Sequence, residues 1–127
     1  MRVQFSSGPN ASGMATYTSD WHERGGRRRR RVVTVHRKIT YTPLLRREVV
    51  EYRITHVEET QGADAPRVLL DGGVSTFRAS LDILGRELEQ LITDGYARRS
   101  DLERVPSVPR HEAPRASTMA LGNSPAI

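Results

Sequence analysis

Cysteine is absent from this chain of 127 residues. Its absence excludes disulfides, thiolate zinc sites and a cysteine nucleophile together, and it fits a reducing compartment. Long apolar runs are also absent, so we expect neither a membrane-spanning helix nor a signal peptide. The sequence therefore predicts a soluble intracellular protein with no membrane partner.

Aromatic and apolar residues are few, at 6% and 36% of the chain. The length suits one domain and hardly two, and so lean a composition leaves part of the chain outside a core. The sequence predicts a flexible N-terminal segment at 1–26, rich in Ser, Gly, Thr and Asn. An ordered domain is predicted at 27–105, and a disordered tail of Pro, Ser, Ala and Gly at 106–127.

Lysine is nearly missing, because Lys38 is the only one among 20 basic residues. Acidic residues number 15, so the net charge is +5 and the isoelectric point is about 10.4. The guanidinium fork of arginine matches phosphate, which favours an anionic partner. GC-rich or overlapping coding sequence would produce the same bias, and composition alone does not separate the two interpretations.

Two glycines and five arginines, at 25–31, lead into an alternating pattern that predicts a strand at 31–42. Arg37 interrupts its apolar side, which indicates a bulge or an edge position. Further strands are predicted at 47–59 and 67–75, the last bent at its two glycines or followed there by a short fourth strand. The first strand has an apolar side of Val33, Val35, Ile39 and Tyr41, and a polar side of Thr34, His36, Lys38 and Thr40.

The period then changes to that of a leucine-rich helix, with Ser75 as the predicted N-cap and Gly95 as the C-cap. One interpretation is an ordinary helix packed on its own sheet. We favour a stripe wide enough to cover the sheet and also to form a homodimer contact. The stripe consists of Phe77, Leu81, Leu84, Leu88 and Leu91.

These elements predict an α+β fold, in which a small antiparallel sheet carries the C-terminal helix on one face and flexible tails flank the domain. The other face would be polar and basic, with Arg53 beside the first strand and the arginine run at its edge. Such a face suits nucleic acid, whose phosphates supply most of the binding energy. The alternative is a solvated face with the arginine run as a nuclear import signal.

The segment "RVLLDGGVSTFRASLDILGRELEQLI" (67–92), with "RRVVTVHRKITY" before it, resembles the RNA silencing suppressors of tombusviruses and aureusviruses. The resemblance implies a homodimer that sequesters double-stranded RNA, short interfering or longer, in the cytoplasm of an infected plant cell. The arginine run would also permit nuclear access. It implies no catalysis, no cofactor and no small-molecule substrate.

Two departures from that family bear on its mechanism. The helical insertion of its larger members is missing, and the pair of tryptophans with which they cap a duplex is reduced to Trp21. Gly25 and Gly26 would leave this indole too mobile to mark the end of a duplex. We therefore expect binding that is largely independent of sequence and of duplex length. We predict RNA contacts from Trp21, Arg27, Arg28, Arg29, Arg30, Arg31, Thr34, His36, Arg37, Lys38, Thr40, Arg53, Gly73, Ser75 and Thr76.

Other classes remain open. "DGGVST" (71–76) places glycines and hydroxyls at a helix N-terminus, which suits a phosphate but is more often a plain turn and cap. The four histidines do not cluster, so no metal site is expected. An enzyme is the least expected class. The main alternative is a basic nucleic-acid-binding virion protein, or an assembly subunit without a role in silencing.

Overall fold

The computed structural model describes residues 1–7 and 12–103. Within this part, six strands and two helices follow one another, and the longest strand begins within the arginine run. The elements are β1 (Arg2–Ser7), β2 (Gly13–Thr18), β3 (His22–Arg24), β4 (Arg27–Thr42), β5 (Arg47–Thr60), β6 (Arg67–Ser75), α1 (Phe77–Thr93) and α2 (Arg99–Glu103).

The strands form one antiparallel sheet in the order β1-β2-β4-β5-β6, and β3 pairs with β4 beside β2. β2 and β3 thus follow the same edge of β4, separated by a short irregular stretch. There Ser19 replaces the ladder, because its backbone N–H donates to the Arg31 carbonyl and its Oγ accepts from the Arg31 N–H, each at 2.9 Å. The predicted antiparallel sheet with one packed helix is confirmed.

The N-terminal segment belongs to the sheet, and the prediction that it is a flexible tail is wrong for its described residues. β1, β2 and β3 all lie within 1–26, and Ala15 and Tyr17 are buried in the core. The alternation of "MATYT" is a short strand signal inside a polar stretch, which composition alone hides. The predicted tail at 106–127 lies outside the described residues.

The core lies between the sheet and α1. Alternate residues of the central strands point toward the helix, so that their side chains form one layer that the helical stripe covers. Val33 and Val35 of β4 therefore lie in the core under α1, as the alternation predicted, whereas Tyr41, predicted on the same side, is exposed. The buried cluster contains Ala15, Tyr17, Val33, Val35, Tyr52, Ile54, Leu84, Leu91 and Tyr96.

The ends of α1 differ slightly from the prediction. Thr76 is the N-cap, with Oγ1 accepting from the Ala79 N–H at 3.2 Å, whereas Ser75 donates its hydroxyl to the Tyr52 carbonyl. At the other end Asp94 is the C-cap, and Gly95 follows with a φ of 78°. Glycine adopts this left-handed conformation without strain, so Gly95 ends the helix one residue beyond the C-cap, where Asp94 takes the predicted position.

The β4–β5 hairpin extends beyond its neighbours. The pairing of β2 with β4 ends at Arg37, and that of β6 with β5 begins at Tyr52. Residues 38–51 therefore form a two-stranded projection, the β-arm, with no described strand on either side. A turn at 43–46 closes it, with N–H to carbonyl bonds of 3.2 Å from Leu45 to Thr42 and from Arg46 to Pro43.

No helix in the described part is long and apolar enough to cross a membrane.

Candidate nucleic-acid interface

The register assigns each strand residue to one of two faces, because directly opposed residues point the same way. The helix face lies under α1 and includes Arg31, Val33 and Val35 of β4. The open face is its reverse. We define it by Met14, Thr16 and Thr18 of β2, Arg28, Arg30, Val32, Thr34, His36, Lys38 and Thr40 of β4, and Arg53, Thr55, Val57 and Glu59 of β5.

A row of hydroxyls crosses the open face. Thr16 of β2, Thr34 of β4 and Thr55 of β5 are direct cross-strand partners, and Gln4 of β1 opposes Thr16. Neighbouring strands are about 4.8 Å apart, so the row spans several strands at close, regular spacing. Each hydroxyl can both donate and accept a hydrogen bond. Only Thr34 was predicted as an RNA contact. Thr16 was missed because β2 was assigned to a tail, and Thr55 because it joins the row only through the register of β4 with β5.

The basic side chains of the open face differ in what they contact. Arg53 donates to both carboxylate oxygens of Asp71, at 2.9 and 2.8 Å, and is therefore neutralised within the protein. Arg28 and Lys38 are exposed, and in the described part of the chain neither has an ion-pair partner. His36, also exposed, lies between them on β4. Arg28 and Lys38 are the two cations of this face best placed to meet an external anion.

The five-arginine run is not one patch. Strand alternation directs Arg28 and Arg30 to the open face and sends Arg27, Arg29 and Arg31 to the other. Acidic residues of β5 oppose several of them, with Arg29 3.7 Å from Glu58 and Arg30 2.6 Å from Glu59.

Arg37 also lies on the helix face and is half-buried, opposite Tyr52. Of the predicted RNA-contacting arginines, Arg27, Arg29, Arg31 and Arg37 are therefore not on the open face. Among the described residues of the run, only Arg27 and Arg28 lack a carboxylate partner.

Arg31 is buried in an ionic network under the end of α1. Its Nε lies 3.1 Å from a Glu58 oxygen and its Nη1 2.8 Å from an Asp94 oxygen. The Tyr96 hydroxyl donates to the same Glu58 oxygen at 3.2 Å, and the guanidinium lies 4.6 Å from the centre of the Tyr96 ring. The network joins β4, β5 and the residues that follow the helix.

The charged forms of this network support one another. Burial raises the pKa of Glu58, but the hydrogen bond and charge of Arg31 outweigh it, and the pKa lies below its ordinary value. The hydrogen bond from Gln90 lowers the pKa of Asp94, and Arg31 lowers it further. Together they outweigh burial, which raises it. Burial lowers the pKa of Arg31, yet its two carboxylate partners raise it overall. Arg31, the buried arginine of the run, thus has a structural role.

His56 connects the same network to the middle of α1. It is fully buried, with Nδ1 2.8 Å from a Glu87 oxygen and Nε2 3.4 Å from Nη1 of Arg31. A guanidinium can only donate, so Nε2 accepts and Nδ1 carries the proton that it donates to Glu87. The ion pairs and this hydrogen bond fasten α1 to the helix face, and the pattern of the sequence did not indicate them.

Trp21 is held in place by Arg30. The guanidinium lies 4.4 Å from the centre of the indole ring, and the same arginine is bonded to Glu59. Gly25 and Gly26 instead form the tight β3–β4 turn, with φ of 61° and 79°. The indole is half-buried beside the open face. The expectation that these glycines make Trp21 mobile is therefore wrong.

The hydroxyls predicted to bind an anion at the start of α1 make internal hydrogen bonds. Thr76 caps the helix and Ser75 donates to Tyr52, as described above. Gly73 has a φ of 68° where β6 loses its regular register with β5. In the described structure this stretch forms a turn and a cap, and its contact with phosphate stays a prediction.

The helical stripe packs mainly on its own sheet. Leu84 and Leu91 are buried in the core, and Phe77 and Leu88 are partly buried against it. Leu81 is 40% exposed. The homodimer contact stays a prediction, and Leu81 is the stripe residue available to it.

Comparison with known proteins finds no family model, no curated protein and no solved structure that matches this chain. The resemblance to viral silencing suppressors therefore rests on the motifs quoted above. Within the described residues, no group of three His, Asp or Glu side chains is arranged to hold a metal ion.

Proposed function

We propose that this protein binds double-stranded RNA on its open face, through the sugar–phosphate backbone and without reading base sequence. One observation carries the proposal: a face not covered by α1 presents the Thr16–Thr34–Thr55 row, with the exposed, unpaired cations Arg28 and Lys38 on the same face. His36 lies next to Thr34 on that side of β4.

The chemistry of the face matches duplex RNA. The deep, narrow major groove of an A-form helix hides its base edges, so proteins recognise it through 2′-hydroxyls, phosphates and shape. Threonine hydroxyls can donate to phosphate oxygens and exchange hydrogen bonds with 2′-hydroxyls. Arginine and lysine supply the electrostatic attraction, and no base-specific group is needed.

The role that fits this binding is sequestration. A homodimer that covers duplex RNA would keep it from the silencing machinery of a host cell, in the cytoplasm, as the resemblance to viral suppressors implies. Backbone contacts repeat along the duplex, so affinity is expected to hold or rise with its length. The alternative is a virion or assembly subunit that uses the same face to neutralise nucleic acid of either kind.

The test is a gel shift with duplex RNA, duplex DNA and single-stranded RNA of equal length, over one series of salt concentrations. We expect duplex RNA to bind most tightly. The variant Arg28→Gln/Lys38→Gln should bind it more weakly and reduce the slope of log affinity against log salt by about 2, or roughly 0.9 for each lost phosphate contact.

The matched control is Arg78→Gln/Arg86→Gln, which removes two exposed charges from α1. Equal losses in the two variants would show that only net charge matters and would reject an interface on the open face. Equal affinity for duplex RNA and duplex DNA would favour the assembly alternative.

A further inference from the structure

The turn that closes the β-arm has the most exposed apolar side chains of the described chain. Leu44 is 94% exposed, and Leu45 and Tyr41 are 58% and 59% exposed. The buried core contains neither leucine, so the described fold does not require an apolar residue at either position. Exposed apolar side chains that lie together in this way mark a contact with something outside the fold.

The β-arm holds these side chains away from the rest of the described protein. Five residue pairs of β4 and β5, beginning with position 38, separate the turn from the other strands. At about 3.3 Å for each residue, the turn lies roughly 15 Å beyond them. The helix α1 begins at the base of the arm, where Phe77 packs against Tyr52, and ends beside Arg31, which Asp94 contacts. A flat surface can therefore meet the turn before it meets any other described element.

The charges beside the leucines are mainly positive. Arg46 and Arg47 follow Leu45 directly and are exposed, and within the described residues neither has an ion-pair partner. Glu48 comes next, opposite Tyr41, and is also exposed. Two arginines and one glutamate leave this end of the arm with a net charge of +1. An anionic surface therefore suits it, although the attraction is modest.

The backbone at Arg46 is strained. Its φ of 51° makes it the one residue other than glycine with a positive φ in the described part of the chain. Glycine would adopt this conformation at no steric cost and would form the turn more easily. The side chain of Arg46, which the turn does not need, is better explained by a contact that the guanidinium makes beside Leu45.

We propose that the end of the β-arm is a peripheral anchor for an anionic lipid bilayer. Leu44 and Leu45 enter the outer hydrocarbon layer, and Arg46 and Arg47 lie at the level of the headgroup phosphates. Tyr41 is set back from the turn, at the interfacial depth that aromatic rings favour. The backbone of duplex RNA offers phosphates but no apolar surface for the leucines, whereas an anionic membrane offers both.

This contact is peripheral, so it needs no spanning segment, and it does not depend on RNA binding. It should also be weak. Two leucines bury less apolar surface than one myristoyl chain, which itself binds lipid with an association constant of only about 10⁴ M⁻¹. The arginines strengthen the contact with anionic headgroups and Glu48 opposes them, so binding should fall as salt screens the charges.

The test is co-sedimentation of nuclease-treated protein with vesicles of phosphatidylcholine, alone or mixed with phosphatidylserine, at up to about 5 mM lipid, as so weak a contact requires. Leu44→Ser/Leu45→Ser should lose at least about tenfold in affinity for the mixed vesicles, because it removes the inserted apolar groups. The matched control is Val68→Ser/Val74→Ser, which removes two exposed apolar side chains from β6 and should bind like the wild type. Circular dichroism establishes that both variants are folded.

Two further variants test the arrangement of the turn. Arg46→Gly/Arg47→Gln should bind the mixed vesicles at least about fivefold more weakly and should bind pure phosphatidylcholine almost unchanged. It should not lower the melting temperature, because glycine relieves the strained φ. In Leu44→Trp, the added indole should shift its emission to shorter wavelength when mixed vesicles are added, whereas the emission of Trp21 in the wild type should stay constant.

A wild type that does not bind the mixed vesicles would overturn the proposal. So would a loss in the control equal to that in Leu44→Ser/Leu45→Ser, or an emission of Leu44→Trp that the vesicles leave unchanged. If the two leucines are needed instead for duplex RNA binding or for self-association, and vesicles are not bound, the turn faces one of those partners and the membrane anchor is rejected.

Discussion

Both faces of the sheet contain arginines of the same run, but the arginines make different contacts on each face. On the helix face, Arg31 is paired with Glu58 and Asp94, and His56 is bonded to Glu87. On the open face Arg28 has no partner in the described structure and faces solvent. A run of one residue type in a strand is therefore not a single patch, because alternation and the opposing carboxylates divide it.

The largest difference in stability between two matched substitutions is expected in the helical stripe. Leu91→Ala removes a fully buried side chain and should lower the free energy of unfolding by about 4 kcal/mol, because it leaves a cavity in the core. Leu81→Ala, on the exposed side of the same helix, should lower it by less than about 1 kcal/mol. Urea denaturation measures both. Similar losses would mean that α1 does not pack on the sheet as described.

Within the arginine run, Arg31→Gln should lower the free energy of unfolding by about 3 kcal/mol, because it leaves Glu58 buried without its main partner. Arg28→Gln should change it by less than about 0.5 kcal/mol and weaken RNA binding instead. Denaturation curves and gel shifts on the same two variants separate the effects. If the two variants are equally stable, the division of the run between the faces is wrong.

Acid should loosen the helix face first. The folded-state pKa values of Glu58 and Asp94 lie below their ordinary values of 4.5 and 3.8. Their contribution to stability is therefore present above those ordinary values and is lost as the pH falls through the lowered ones. The free energy of unfolding should fall from pH 5 toward pH 2, with a shallower slope in Arg31→Gln. Equal slopes in the two proteins would remove Arg31 as the cause of the lowered pKa values.

The smallest effect on RNA affinity is expected from substitution of Trp21. Trp21→Ala should change the affinity for duplex RNA by less than about threefold, at every length from one to several helical turns, because phosphate contacts repeat along the groove. Dissociation constants for blunt and overhanging duplexes at fixed salt measure this. Since Arg30 holds the indole in place, a tight optimum at one length that Trp21→Ala removes would show that the residue caps duplex ends.

The sequence was sufficient to predict the elements with strong periodicity. The alternation of β4 and β5 and the period of α1 specified the sheet, the helix and the face that each buries. β1 and β2 were missed because their apolar signal is short and is surrounded by serine and glycine. The partners of Arg29, Arg30 and Arg31 were missed because Glu58 and Glu59 become neighbours only through strand register.

In the candidate interface, too, the contacts that depend on strand register were missed. The polar side of β4 was predicted, whereas the hydroxyl row became evident only when β2 and β5 were aligned with it, adding Thr16 and Thr55. Arg37 lies on the helix face, half-buried opposite Tyr52. The alternation of β4 had indicated this side, although its charge placed it among the predicted RNA contacts.

The central claim, that the open face binds double-stranded RNA, is tested most directly by one substitution placed on either side of the molecule. Thr34→Glu puts a carboxylate in the middle of the hydroxyl row, and Thr93→Glu puts the same charge at an exposed position on α1. Circular dichroism and melting temperature establish that both variants are folded. In a duplex RNA titration at fixed salt, we expect Thr34→Glu to lose at least about tenfold in affinity and Thr93→Glu less than about threefold, since only the first repels a phosphate at contact distance. Equal affinities for the two folded variants would contradict the claim.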